Sequence, residues 1–161
     1  MKKLNNYGQT LIEALIALGV SIVVIAAIAL AVLTAMNNVT FSKNQNLATG
    51  YAQQGMDILR QQSESDWTTF DNTCLVTGYP CTYCLDQGAI VLGSDCTSTN
   101  INSFFLRKVK IEHLGSGCLT GDKVTVIVSW RDGKCTDASN LYCHNVTLNS
   151  CFTEINNVPP L

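Results

Sequence analysis

Residues 8–36 read GQTLIEALIALGVSIVVIAAIALAVLTAM, and this stretch decides the fold class. After Glu13 no residue is charged until the run ends, so residues 14–36 form an uncharged segment of 23 residues. About 20 predominantly apolar residues suffice to span a bilayer as an α-helix. The stretch therefore predicts one transmembrane helix over residues 14–36.

The orientation of this helix follows from two independent features. Lys2 and Lys3 precede the apolar run, and positive residues stay on the cytoplasmic side. An even and dense set of cysteines is typical of an oxidising compartment outside the cytoplasm. The protein is therefore predicted to cross the inner cell membrane once, with its C-terminal part outside. The eight cysteines, all disulfide candidates, are Cys74, Cys81, Cys84, Cys96, Cys118, Cys135, Cys143 and Cys151.

Two ordinary interpretations of the N-terminus leave Glu13 unexplained. A secretory signal has an apolar core of about 7–15 residues and a small-x-small cleavage site. The run here is longer, although Ala29-Leu30-Ala31 has the composition of such a site. A plain single-span anchor is the other interpretation. Inserting a carboxylate costs roughly 2.5–3.5 kcal/mol at the centre of a bilayer and less near its surface. A residue such as Glu13 is therefore expected to have a partner and a function.

The sequence GQTLIE at residues 8–13 follows a short basic leader and opens a long apolar helix, and it resembles the cleavage motif of type IV prepilins and pseudopilins. In that family a membrane peptidase cuts after the glycine and methylates the new terminal amine. The resemblance implies that residues 1–8 are a leader, that Gln9 becomes the N-methylated first residue, and that Glu13 is the family's assembly residue. The family most often has phenylalanine at the first mature position, where this chain has Gln9.

Cleavage between Gly8 and Gln9 creates a positive amine at the edge of the apolar helix. In a filament of bundled helices, Glu13 of one subunit can pair with the amine of its neighbour. Because an unpaired buried charge is costly, such a pair favours the correct axial register between neighbouring helices more than it adds stability.

The helix is expected to continue from Gln9 to about residue 62, roughly 80 Å at 1.5 Å per residue. Beyond residue 36 its apolar residues recur every three or four positions, which predicts an amphipathic stalk. The sequence YAQQGMDILR at residues 51–60, followed by Asp66-Trp67, is similar to the stalk of minor pilins of the pilus-modification subfamily, which is related to a minor pseudopilin of type II secretion. The predicted stripe consists of Leu47, Ala48, Tyr51, Ala52, Gly55, Met56, Ile58 and Leu59.

Residues 63–161 are predicted to form a cysteine-rich globular head outside the cytoplasm. Three runs, 104–114, 123–130 and 141–152, have the apolar alternation of strands, and Asp132-Gly133 is a turn dipeptide between the last two. The sequence VSWRDG at 128–133 resembles the central hairpin of minor pilins. The turn-rich segment 73–103 is expected to be an irregular loop. The fold class is therefore α+β and type IV pilin-like, with a small antiparallel sheet packed on the helix and stapled by disulfides.

Eight cysteines allow 105 pairings, and local bridges among Cys135, Cys143 and Cys151 are plausible from their spacing. The sequence CTYC at residues 81–84 has the form of half a zinc site or of a redox pair. The sequence contains no second such pair, and His113 and His144 lack ligand spacing. Disulfides are the favoured interpretation, and we expect no metal site and no cofactor. No catalytic constellation is recognisable, so we expect no enzyme.

Residues 63–161 hold six Lys and Arg against ten Asp and Glu, a formal charge of −4, which disfavours nucleic-acid binding by the head. The resemblance implies a minor pilin, a structural subunit of a type IV pilus or related extracellular filament that takes part in cell adhesion. Its partners would be other pilin subunits, the prepilin peptidase/methyltransferase, the membrane and the pilus assembly machinery. Three alternatives stay open: a pseudopilin of type II secretion or DNA uptake, a membrane-anchored surface binding protein that never polymerises, and an exported redox enzyme using Cys81 and Cys84.

Overall fold

The computed structural model divides the chain into two units, Met1–Lys43 and Asn44–Leu161. It describes residues 7–74, 78, 80–86, 90–91, 96, 100–113, 117–133, 135 and 142–154. The helices are α1 (Tyr7–Ser65) and α2 (Trp67–Asn72), and the strands are β1 (Cys81–Leu85), β2 (Ile90–Val91), β3 (Leu106–Glu112), β4 (Asp122–Trp130) and β5 (His144–Phe152).

Helix α1 confirms the predicted long N-terminal helix and runs slightly past both expected ends. No proline occurs within it, and Asn37-Asn38 do not interrupt it. It ends where Asp66 takes an extended backbone conformation and caps α2. The Asp66 carboxylate accepts hydrogen bonds from the backbone N–H of Thr69 at 3.0 Å and from its hydroxyl at 2.6 Å. Satisfying the orphan donors of a helix start in this way is typically worth about 1 kcal/mol.

The second unit contains an antiparallel sheet with the strand order β2-β1-β3-β4-β5. The three predicted strands are confirmed as β3, β4 and β5. Strands β3 and β5 are shorter than expected, and β4 begins one residue earlier; residues 114 and 141 lie outside the described residues. The irregular loop expected over 73–103 is wrong in part. That segment supplies β1, which pairs with β3 between Cys81↔Ile111 and Cys84↔Lys108, and the short edge strand β2.

The core of this unit lies on one face of the sheet, where the side chains alternate as predicted. Val109 and Ile111 of β3 are buried while Lys108, Lys110 and Glu112 are only partly covered. In β4, Val124, Val126 and Val128 are fully buried. The edge strand β5 is more exposed along its length, and its Asn and Thr side chains lie on the solvent side.

The stalk part of α1 packs on this face through the predicted stripe. Ala48, Ala52, Gly55, Met56 and Leu59 are buried, whereas Leu47 is exposed and Tyr51 and Ile58 are only partly covered. The approach is closest at Gly55. A methyl group there would lie 3.1 Å from side-chain carbons of Arg107 and Val126 and 3.2 Å from Leu85.

Arg107 joins the helix to two strands from a position that is 0% exposed. Its guanidinium donates to the carbonyl oxygen of Leu85 (Nε, 2.9 Å) and to that of Asp86 (Nη2, 2.5 Å). Nη1 donates to the carbonyl oxygen of Tyr51 at 3.0 Å and to Oε1 of Gln54 at 3.2 Å. Burial lowers the pKa of Arg107, and the nearby Asp86 carboxylate opposes that shift. An arginine at this site remains charged, so these hydrogen bonds replace its lost hydration.

A matched pair of glycine substitutions tests this packing. Gly55→Leu is expected to lower the free energy of unfolding by about 1–3 kcal/mol, because the larger side chain overpacks a site bounded by buried neighbours. Gly50→Leu is the control, since Gly50 lies on the same helix with no atom within 4 Å of the added carbon. It should be neutral or slightly stabilising. Denaturant unfolding of the detergent-extracted protein measures both, and equal effects at the two positions would contradict the packing.

Candidate functional site

The first unit presents an apolar surface on every side of α1. All side chains from Thr10 to Thr40 are exposed, and the large apolar ones between Leu11 and Val39 are 50–69% exposed. A helix that is apolar all round belongs in a protein core or a membrane. Among the described residues, α1 is the one helix long and apolar enough to cross a membrane, judged by length and composition.

The polar hydroxyl groups within this apolar surface are satisfied by the helix itself. The Ser21, Thr34 and Thr40 hydroxyls donate to the carbonyl oxygens of Ala17, Leu30 and Met36 at 2.7, 2.9 and 3.0 Å. Such bonds to the residue four positions earlier remove a donor that would otherwise need water. These three hydroxyl donors therefore need no water when the segment lies in a nonpolar environment.

Glu13 is the single charged side chain between Lys3 and Lys43. It is exposed on α1, two turns from the start of the helix, with Ile12, Ile16 and Ala17 around it. Within the part of the chain that the structure describes, no cation forms an ion pair with it. The backbones of Gly8 and Gln9 belong to the first turn of α1, while their side chains and the leader residues 1–6 lie outside the described residues. The cleavage site and the role of Glu13 stay predictions.

All eight cysteines are paired, which confirms the prediction of a disulfide-stapled head. Cys74–Cys81 joins the end of α2 to β1, and Cys84–Cys96 joins β1 to the segment that follows β2. Cys118–Cys151 joins the β3–β4 connection to β5, and Cys135–Cys143 closes the β4–β5 connection. Disulfides typically contribute about 2–4 kcal/mol each by constraining the unfolded chain.

Of the local bridges considered plausible near the C-terminus, one occurs and one does not. Cys135 pairs with Cys143, across the turn in which the N–H of Cys135 donates to the carbonyl oxygen of Asp132 at 3.2 Å. Cys143 and Cys151 do not pair, because strand β5 separates them. Eight residues of extended chain span roughly 26 Å, far beyond the 7 Å limit between bridged Cα atoms.

Cys81 and Cys84 both lie on β1, and each is bonded to a different cysteine outside the CTYC sequence. They therefore do not form the dithiol pair of a redox motif in this structure. Cys135 and Cys143 lie near Asp132 and His144, a grouping with metal-ligating residue types. Their sulfur atoms are bonded to each other, so they offer no thiolate, and the imidazole of His144 pairs with Asp132 at 3.1 Å.

The two units thus define a class of architecture: an apolar helix with one carboxylate near its start, and an α+β unit held by four disulfides. No model of a known protein family matches the chain, and neither the curated proteins nor the solved structures include a match.

The disulfide map is directly testable. Alkylation of the unreduced, denatured protein should find no free thiol, because every cysteine is bonded. Peptide mapping by mass spectrometry should then recover the four pairs 74–81, 84–96, 118–151 and 135–143. Recovery of a peptide joining Cys81 to Cys84, or Cys143 to Cys151, would contradict the connectivity.

Proposed function

We propose that this protein is a structural subunit of a type IV pilus or a related filament, a minor pilin that is held in the membrane and then assembled through its N-terminal helix. The observation that carries the proposal is the placement of Glu13. It is the lone carboxylate on a helix that is otherwise apolar from Thr10 to Met36, and it lies five residues beyond Gly8.

An apolar helix needs only lipid to cover it, so a simple anchor has no use for Glu13. A carboxylate there adds a cost of desolvation and favours any arrangement that supplies a positive partner. Cleavage after Gly8 would supply that partner as the amine of Gln9. Pairing between neighbouring subunits then fixes the axial register of helices whose apolar surfaces offer little register information.

The small residues of the apolar helix support close association with other helices. Gly19 has no atom within 4 Å of an added side-chain carbon in this chain, so the groove at that position is open to a neighbour. Glycine and alanine let helix backbones approach closely where packing, and not the hydrophobic effect, drives association. The head, stapled by four disulfides, suits an exposed position outside the cell.

Replacing Glu13 tests assembly separately from membrane anchoring. Glu13→Gln should leave the amount of protein in the membrane fraction unchanged, because the apolar segment is intact. It should reduce the protein recovered in sheared surface filaments at least about tenfold, a loss that corresponds to about 1.4 kcal/mol or more of pairing free energy.

Glu64→Gln is the matched control, since Glu64 is an exposed glutamate on the same helix outside the apolar segment. It should enter filaments like the native protein. If Glu13→Gln is recovered in filaments at the native level, or if the native protein is absent from them, the proposal fails and the anchored surface protein becomes the better account.

A further inference from the structure

Three side chains from distant parts of the sequence meet at one end of the second unit. Asp71 lies on α2, His113 directly follows β3, and Asp122 is the first residue of β4. Each brings one potential ligand atom, and these atoms lie within 4.8 Å of one another. His113 Nδ1 and Asp122 Oδ1 are 2.6 Å apart, which is a hydrogen bond and, with a protonated imidazole, an ion pair.

Asp122 is the member of this cluster that calls for a ligand. It is 0% exposed, and no N–H or hydroxyl group of the described residues donates to its Oδ2. A buried carboxylate oxygen without a donor costs more than a satisfied one by a few kcal/mol, so native proteins rarely retain such an atom without a purpose. Burial raises the pKa of Asp122. The hydrogen bond and charge of His113 oppose that shift, whereas the charge of Asp71 and a hydrogen bond between the two carboxyl groups add to it.

The surrounding backbone holds Asp122 rigidly. Gly121 has a φ of +76°, and a side-chain carbon there would lie 1.9 Å from the carbonyl oxygen of Phe152, so only glycine fits. Asp122 pairs with Phe152 in the sheet, next to the Cys118–Cys151 disulfide. A fixed carboxylate is one requirement of a built ligand site.

Asp71 is held near Asp122 by the packing of α2 against the end of the sheet. Phe70 of α2 is buried and its ring lies 5.8 Å from the ring of Phe152. The end of α2 is also tied to β1 by the Cys74–Cys81 disulfide and by the Tyr83 hydroxyl, which donates to the carbonyl oxygen of Thr73 at 2.5 Å. Helix α2 therefore has little freedom to carry Asp71 away from Asp122.

We propose that Asp71, His113 and Asp122 form a binding site for one divalent transition-metal ion of the Zn²⁺ type. The set offers one imidazole nitrogen and two carboxylates, which suits Zn²⁺; Ca²⁺ and Mg²⁺ prefer ligand sets made of oxygen alone. The His113 side chain is 44% exposed, so the site opens to solvent and leaves a position for water. On binding, the ion displaces the proton shared by His113 and Asp122, which is released to solvent.

The required adjustment is small. Zinc bonds of about 2.0–2.2 Å in a tetrahedral site place ligand atoms roughly 3.3 Å apart. Asp122 is fixed, while the exposed His113 and the partly exposed Asp71 can change rotamer to close the remaining distance. A bound ion would join α2 to the β3–β4 end of the sheet, and this role is independent of filament assembly.

The experiment uses the full chain in detergent, purified without metal and titrated with ZnCl₂ at pH 7.5. Equilibrium dialysis with elemental analysis should find one Zn²⁺ per chain, and Zn²⁺ should raise the thermal midpoint of unfolding. His113→Gln and Asp122→Asn should each weaken binding at least about tenfold, the smallest loss typical even of a residue that only supports a ligand. His113→Gln replaces an exposed side chain, so it separates loss of a ligand from loss of the fold.

Asp132→Asn is the matched control, because Asp132 and His144 form the other carboxylate–imidazole pair of the described residues, at 3.1 Å. It should bind Zn²⁺ like the native protein. The proposal is overturned if the native chain shows no saturable binding up to 1 mM ZnCl₂ (about −4.1 kcal/mol). It is equally overturned if His113→Gln binds normally, if Asp132→Asn abolishes binding, or if Ca²⁺ binds as tightly as Zn²⁺.

Discussion

The surface of α1 between Leu11 and Val39 sets the constraint on which the rest of the molecule depends. Sixteen large apolar side chains there are exposed. Each loses roughly 1.5–3 kcal/mol when left in water, so the total is on the order of tens of kcal/mol. An apolar surface of this size is typical of a helix that lipid or other helices cover, and the proposed function is the case in which both occur.

Within the second unit, Arg107 provides much of the attachment between α1 and the sheet. Its guanidinium lies where Gly55 lets the helix approach the sheet, and it donates to main-chain carbonyls of α1 and of the β1 end. Each hydrogen bond from a charged group is typically worth about 1.5–3 kcal/mol. The carbonyl oxygen of Leu85 also accepts from Asn100 Nδ2 at 3.2 Å, so two side chains hold this end of β1. Four disulfides further constrain the sheet and its connections.

Much of this fold could be predicted from local sequence because its elements carry strong periodic signals. The uncharged run, the stripe on the stalk and the alternation in β3 and β4 each predicted an element that the structure contains. Strand β1 was missed, since CTYCL is short and lies among turn residues and cysteines. The burial of Arg107 could be predicted from its alternation with Val109 and Ile111 on the apolar face. Its hydrogen-bond acceptors could not, because they come from other segments of the chain.

The features that sequence could not supply all depend on contacts between distant residues. The pairing of Cys118 with Cys151 requires the β4–β5 register, and no spacing rule selects it among the possible connections. Likewise, nothing local joins Asp71 to Asp122 or to His113. Spacing along the chain carries no signal for such a grouping of distant side chains. The predicted processing site at Gly8 and Gln9 is the reverse case, since it rests on a linear motif alone and the fold does not test it.

The most direct test of the account is the mass of the N-terminal peptide of the protein extracted from the membrane. The account predicts that the chain begins at Gln9 and that its terminal amine is methylated, because removal of residues 1–8 creates the positive group that Glu13 would pair with. A chain that retains Met1 would have no such amine beside Glu13. A chain cut near Ala31 would lack Glu13 and most of the apolar helix, and either result would contradict assembly through this helix.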